Sequence, residues 1–132
     1  MKYLTIAIIT LGFAGCASET GYHKAEDAQD AGREFIRASL DGNYDKAKFY
    51  LLKDEDNLML LDKQHANYQH MTNEDQRSFG NANIQPVSIT PINDSVTNYT
   101  YYNSYHPKDT TTIRIIKTNN EWLVDLKSVI KM

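Results

Sequence analysis

The chain has 132 residues, room for one domain, and a formal charge of −3 with both signs interspersed, as on an ordinary solvated surface. No clustered basic face is present, which excludes nucleic acid as a partner because phosphate binding needs one. A single cysteine excludes an intramolecular disulfide and a thiolate metal cluster alike.

That cysteine stands at position 16, directly after a segment with the order of an export signal. Lys2 gives a positive start, Leu4 to Phe13 is apolar apart from two threonines and a glycine, and Ala14-Gly15 puts small residues before Cys16. The apolar run is shorter than the about 20 residues that span a bilayer. A buried core helix would leave Lys2 and the polar switch at Ser18 unexplained. Phe13-Ala14-Gly15-Cys16 resembles the bacterial lipobox, with Phe13 where that motif usually carries Leu. The resemblance implies cleavage before Cys16, a diacylglycerol on its sulfur and an acylated (palmitate-type) amino terminus. Each chain would add roughly 0.8 kcal/mol per buried CH₂, enough together for a permanent hold on a membrane. Residues 1–15 are therefore expected to be a lipoprotein signal peptide, 16–24 a lipidated tether and 25–132 the domain. Ala17, where an Asp would signal inner-membrane retention, favours the outer membrane. Without residues 1–15 and their one lysine, 13 Lys and Arg face 17 Asp and Glu.

In the domain, Ala25 to Leu40 repeats Ala25, Ala28, Gly32, Phe35, Ile36 and Leu40 at helical steps, acids early and arginines late as the helix dipole prefers. Asp41-Gly42-Asn43 reads as a stop and restart, with Gly42 in a left-handed cap and Asn43 capping a second helix from Tyr44 to Leu52. A third helix is expected from about Asp56 to His70, with Leu58, Leu61, His65 and Tyr68 on its apolar side. Thr72-Asn73-Glu74-Asp75 resembles a capping box that opens a short turn ending near Phe79-Gly80.

From Ile84 the texture becomes β-branched and aromatic. Ile84 to Ile92 holds Pro86 and Pro91 and so reads as an edge or interrupted strand. Val96 to Tyr105, Thr110 to Thr118 and Trp122 to Ile130 follow, with turns at Asn93-Asp94, His106 to Asp109 and Asn119-Asn120. Short connections predict a four-stranded antiparallel meander. Period-two alternation puts Trp122, Val124, Leu126 and Ile130 towards the helices, with Asp125 and Lys127 facing away. It also puts Tyr99, Tyr101 and Tyr105 on one face and Tyr102 on the other, and separates Ile113 and Ile115 from Arg114 and Ile116. Helices first and an antiparallel sheet after them make the class α+β.

The run Ala28…Phe35-Ile36-Arg37-Ala38…Asp41-Gly42-Asn43-Tyr44-Asp45-Lys46-Ala47, with Glu121 to Leu126 (EWLVDL) closing the last strand, resembles a family of uncharacterised bacterial lipoproteins. That family belongs to the nuclear transport factor 2-like, or cystatin-like, superfamily, and the resemblance covers roughly Ala25 to Lys131. It implies three N-terminal helices packed on a curved four-stranded meander that forms a cone, and a location in the cell envelope. It does not imply a reaction.

Enzymes of that superfamily line the cone with an acid–base group and a buried Tyr or protonated acid. No family catalytic residue maps onto this chain. His65, Tyr68, Tyr99, Tyr101 and Trp122 are the candidate pocket residues, against the plainer readings of an edge-of-core histidine and of tyrosines that simply suit a half-buried strand. His65 and His70 do not form a metal pair, since a five-residue helical step diverges by more than a right angle. His23 is expected in the tether and His106 in a turn, both solvated. No phosphate loop, nucleophile elbow or paired-carboxylate spacing is present. Neither metal nor cofactor is implied. The expectation is a non-catalytic domain, membrane-anchored at Cys16, that binds a small ligand or another protein. Tyr102, Arg114 and Ile116 are candidate contacts on the outer sheet face for a second copy or an envelope protein. The alternative is an isomerase- or dehydratase-like enzyme working inside the cone.

Overall fold

In the computed structural model, which describes residues 21–131, the first helix starts where an acid can cap it. The Asp27 carboxylate accepts the Asp30 N–H at 2.7 Å, and α1 runs Ala28–Leu40. Gly42 takes φ 68°, a region open to glycine at no steric cost, and turns the chain into α2, Tyr44–Phe49, capped by Asn43. Asp54 caps α3, Glu55–Gln69, and Thr72 caps α4, Asn73–Asn81. All four caps are short polar side chains that accept from orphan N–H groups of a first turn.

The strands are β1 Ile84–Asn93, β2 Val96–Asn103, β3 Thr111–Thr118 and β4 Glu121–Lys131, antiparallel in the order β1-β2-β3-β4. Asn119 and Asn120 join β3 to β4 with φ of 50° and 63°, the paired left-handed conformation of a tight hairpin turn. The core lies between α1 and one sheet face. Tyr99 sits opposite Ile113, and Ile115 opposite Val124, and all four are almost fully buried beside Ala31, Phe35, Ala38 and Leu51. Gly32 is what lets α1 lie this close. A Cβ there would come within 2.8 Å of the Ile115 side chain and 3.4 Å of the Tyr99 ring.

The expected architecture needs correction on two points. The helices number four among the described residues, because the turn after Thr72 continues for nine residues as α4. The sheet is open and does not curl into a cone. β1 and β4 are the two ends of its order and do not pair with each other, so the nuclear transport factor 2-like cone implied by the resemblance is not formed. Alternation and short turns dictate which strands pair and which side chains face the helices; they carry no information on curl. The β4 edge is instead covered locally. Leu52 N–H donates to the Val124 carbonyl at 2.9 Å, Val124 N–H donates to the Tyr50 carbonyl at 2.8 Å, and Lys127 N–H donates to Asn57 Oδ1 at 2.8 Å. This pairing also ends α2 at Phe49, short of the expected Leu52, because Tyr50–Leu52 is drawn out along β4.

The alternation of β4 fails after Asp125. Arg114 faces Asp125 and Thr112 faces Ile130, so the four residues 126–129 stand against Ile113 alone, three more than a regular ladder holds. Asp125, expected to face away into solvent, is only 4% exposed. It accepts from Asn57 Nδ2 at 3.0 Å and from the Ser128 hydroxyl at 2.7 Å, and pairs with Lys127 Nζ at 3.1 Å. Burial pushes its carboxyl up, but these bonds together outweigh burial and hold it below the usual carboxylate range.

The signal segment and Cys16 lie outside the described residues. Of the expected tether, Tyr22 packs on Phe49 with ring centroids 5.6 Å apart, and the His23 carbonyl accepts from the Tyr50 hydroxyl at 2.7 Å. No helix among the described residues is long and apolar enough to cross a membrane.

Candidate ligand cleft

Past Gly32, α1 presents Phe35, Ile36, Ser39 and Leu40, and here the helices and sheet part around a cleft of about 640 Å³. That volume falls in the roughly 300–1,000 Å³ range of small-molecule sites. Tyr101, Ile113, Leu126 and Val129 form the sheet wall. The irregularity in β4 is what brings Val129 to the same side as Leu126, a pairing that strict alternation forbids. The α3 wall carries Leu60, Lys63, Gln64 and Asn67, one stripe at helical spacing, and α4 contributes Phe79. Asn103 at the end of β2, Thr111 at the start of β3, and His106, Asp109 and Thr110 between them complete the lining.

Tyr101 is the polar group of this cleft whose state is most altered. Burial, with a smaller effect from Tyr99, pushes its phenol up to about 12. Its hydroxyl has no hydrogen-bond partner among the described residues. Elsewhere the Tyr44 hydroxyl donates to Asp62, that of Tyr50 to the His23 carbonyl, that of Tyr68 to the Asp41 carbonyl and that of Tyr105 to Asp75. Ser39 Oγ, also on the lining, is buried with no partner. Buried hydroxyls are ordinarily paired; of these two only Ser39 Oγ is buried, and Ser39 also borders the small space beside α3, whereas Tyr101 is half-buried with its side chain on the open cleft.

The other candidate residues lie elsewhere. Tyr99, two residues before Tyr101, is sealed beneath α1 at 1% exposure. His65 and Tyr68 border a separate 20 Å³ space between α3 and the α1–α2 turn, room for about one water. There the His65 ring packs on Tyr44 with centroids 4.9 Å apart, and the Tyr68 ring lies against Gly42. Trp122 sits under the Lys117 ammonium at 5.6 Å and does not line the cleft. Tyr102, Arg114 and Ile116 lie half-buried on the sheet face turned from the helices. Ser39, Lys63 and Asp109 escaped sequence reading. The Leu60-Lys63-Gln64-Asn67 stripe was the available signal, and it reads as a solvated helix face.

One further cluster has metal-ligating atoms. His23, Asp30 and Glu34 bring ligand atoms within 4.8 Å of one another. Both carboxylates already hold a cation, Asp30 with Arg33 and Glu34 with Lys46 at 2.6 Å. A divalent ion would therefore meet a site of no net negative charge. Asp30 also accepts the Glu26 N–H at 3.1 Å and bonds His23 Nε2 at 3.2 Å. Burial pushes Asp30 up, yet these partners together hold it below the usual range. The cluster fastens residue 23 to α1 and α1 to α2.

No protein-family model, curated protein or solved structure matches this chain.

Proposed function

We propose that this protein is a lipid-anchored component of the cell envelope, held at a membrane through Cys16, the outer one in preference, whose α+β domain binds a small apolar ligand in the cleft without transforming it. The cleft carries the binding half of this reading. It has the size of a small-molecule site, with an apolar wall from α1 and the sheet facing a polar wall from α3 and the β2–β3 end. The signal order and the Phe13–Cys16 stretch carry the anchoring half. The alternative, an isomerase or dehydratase, would set His106 or Asp109 of the lining against a substrate proton, with the Tyr101 phenol at the developing oxyanion; turnover of a bound cyclic ketone would favour it.

Two measurements on the full chain test this. Wild type should partition with membranes and carry a modified amino-terminal cysteine by mass spectrometry, while Cys16→Ala should move to the soluble fraction. Native mass spectrometry of the purified protein should find a low-mass apolar molecule retained and lost on solvent extraction. An unmodified Cys16 would defeat the anchor, and a protein with neither bound molecule nor affinity for apolar probes would defeat the binding function.

A further inference from the structure

The two walls of the cleft differ in how well their polar groups are satisfied without a ligand. Lys63, Gln64 and Asn67 are exposed and can bond water. Tyr101 stands against the apolar side, half-buried, and its hydroxyl has no protein partner among the described residues. A ligand seated against that wall takes the place of the water the hydroxyl would otherwise meet, and leaves the phenol unmet unless it offers an acceptor of its own. The charges of the lining set the second constraint. Lys63 and Asp109 oppose one another in sign, and both are exposed. Nothing on the apolar side could neutralise a buried ionic group, and an unpaired buried charge is far costlier than an unpaired hydroxyl.

We propose that the ligand of this cleft is an uncharged, largely apolar molecule carrying a hydrogen-bond-accepting oxygen, a ketone, ester or ether, to which the Tyr101 hydroxyl donates. This rests on the cleft being the binding site, and it disfavours a ligand that would bury an ionised group against the apolar side, away from Lys63 at the rim. The phenol suits the donor role because burial keeps it protonated through the physiological range. It remains a binding group; no proton is transferred.

The test uses the full chain carrying Cys16→Ala, so that apolar probes do not partition into an attached membrane. Three probes of equal chain length are compared by calorimetry: a medium-chain 2-alkanone, its parent alkane and the corresponding fatty acid. Wild-type cleft should bind the ketone about five- to tenfold more tightly than the alkane, the range of one hydrogen bond, and the fatty acid most weakly. Tyr101→Phe should abolish the preference for the ketone over the alkane. In the unmutated cleft the bound ketone's C=O stretch should shift to lower frequency, a readout that does not depend on the variant folding. Equal binding of ketone and alkane with no infrared shift, or tightest binding of the fatty acid, overturns the proposal while the cleft stands as a binding site. Failure of all three probes to bind overturns the cleft reading itself.

Discussion

Tyr99 and Tyr101 are two residues apart on one face of β2, yet one is sealed and the other borders open space. The difference lies in what α1 sets against each. Opposite Tyr99 stands Gly32, with no Cβ to hold the helix off, so α1, Ile115 and Val124 close into a region exposed by 0–1% at each of the three side chains. Opposite Tyr101 the helix carries Phe35, Ile36 and Leu40, and the cleft opens. One helix and one sheet thus make a packed half that supplies stability and an open half that supplies a site. The absence of one side chain at position 32 separates them.

The largest expected effect belongs to the packed half. Ile115→Ala should destabilise by about 2–5 kcal/mol in chemical denaturation, the range for truncating a fully buried Ile, because Ile115 is 0% exposed. Leu126→Ala, on the cleft wall, should lose clearly less, since its side chain already borders empty volume. Equal losses would mean that the cleft half is packed as tightly as the other. Asn57→Ala comes next. Asn57 is fully buried and bonds both Asp125 and the Lys127 N–H. Its loss leaves the Lys127 N–H unmet and removes one of the three partners of the buried Asp125, about 1–3 kcal/mol by denaturation.

Acid should act on the packed half through Asp30 and Asp125, whose folded pKa values both lie below the ordinary 3.8. A depressed carboxyl contributes stability that is present above the unfolded pKa and lost as pH falls through the folded one. Denaturation free energy should therefore hold steady down to about pH 4 and fall below it. Asp125→Asn should flatten part of that fall. A wild-type curve already declining from pH 6 would contradict the assignment. The smallest effect is spectroscopic. Tyr50 and Tyr101 both titrate near 12, above the usual 10, because each is buried. Their neutral forms stabilise the fold up to about pH 10 and cease to do so as pH rises towards 12. Tyr101→Phe should remove one late-titrating phenol from the absorbance titration and leave the early ones in place.

How far the molecule was legible in its sequence follows the range of the forces involved. Gly42 and Asn43 act within a few residues, and so do Thr72 and the Asn119-Asn120 turn; these were readable, as was the shared face of Tyr99 and Tyr101. Asp125 was misread because what buries it is Asn57, 68 residues away. Val129 escaped notice because an irregularity in β4 breaks the period on which the reading relied. The openness of the sheet, with the cleft beside it, depends on how whole elements sit on one another, and no local pattern encodes that. The lining of α3 is the instructive case: a polar stripe that faces a ligand cleft has the same periodicity as one that faces water.

Filling the cleft tests its role most directly. Leu126→Trp should project an indole into the open volume, and an uncharged fluorescent naphthylamine should then lose its binding while the denaturation midpoint stays within a small margin of wild type. Undiminished probe binding in a folded Leu126→Trp protein would contradict the assignment of this cleft as the binding site.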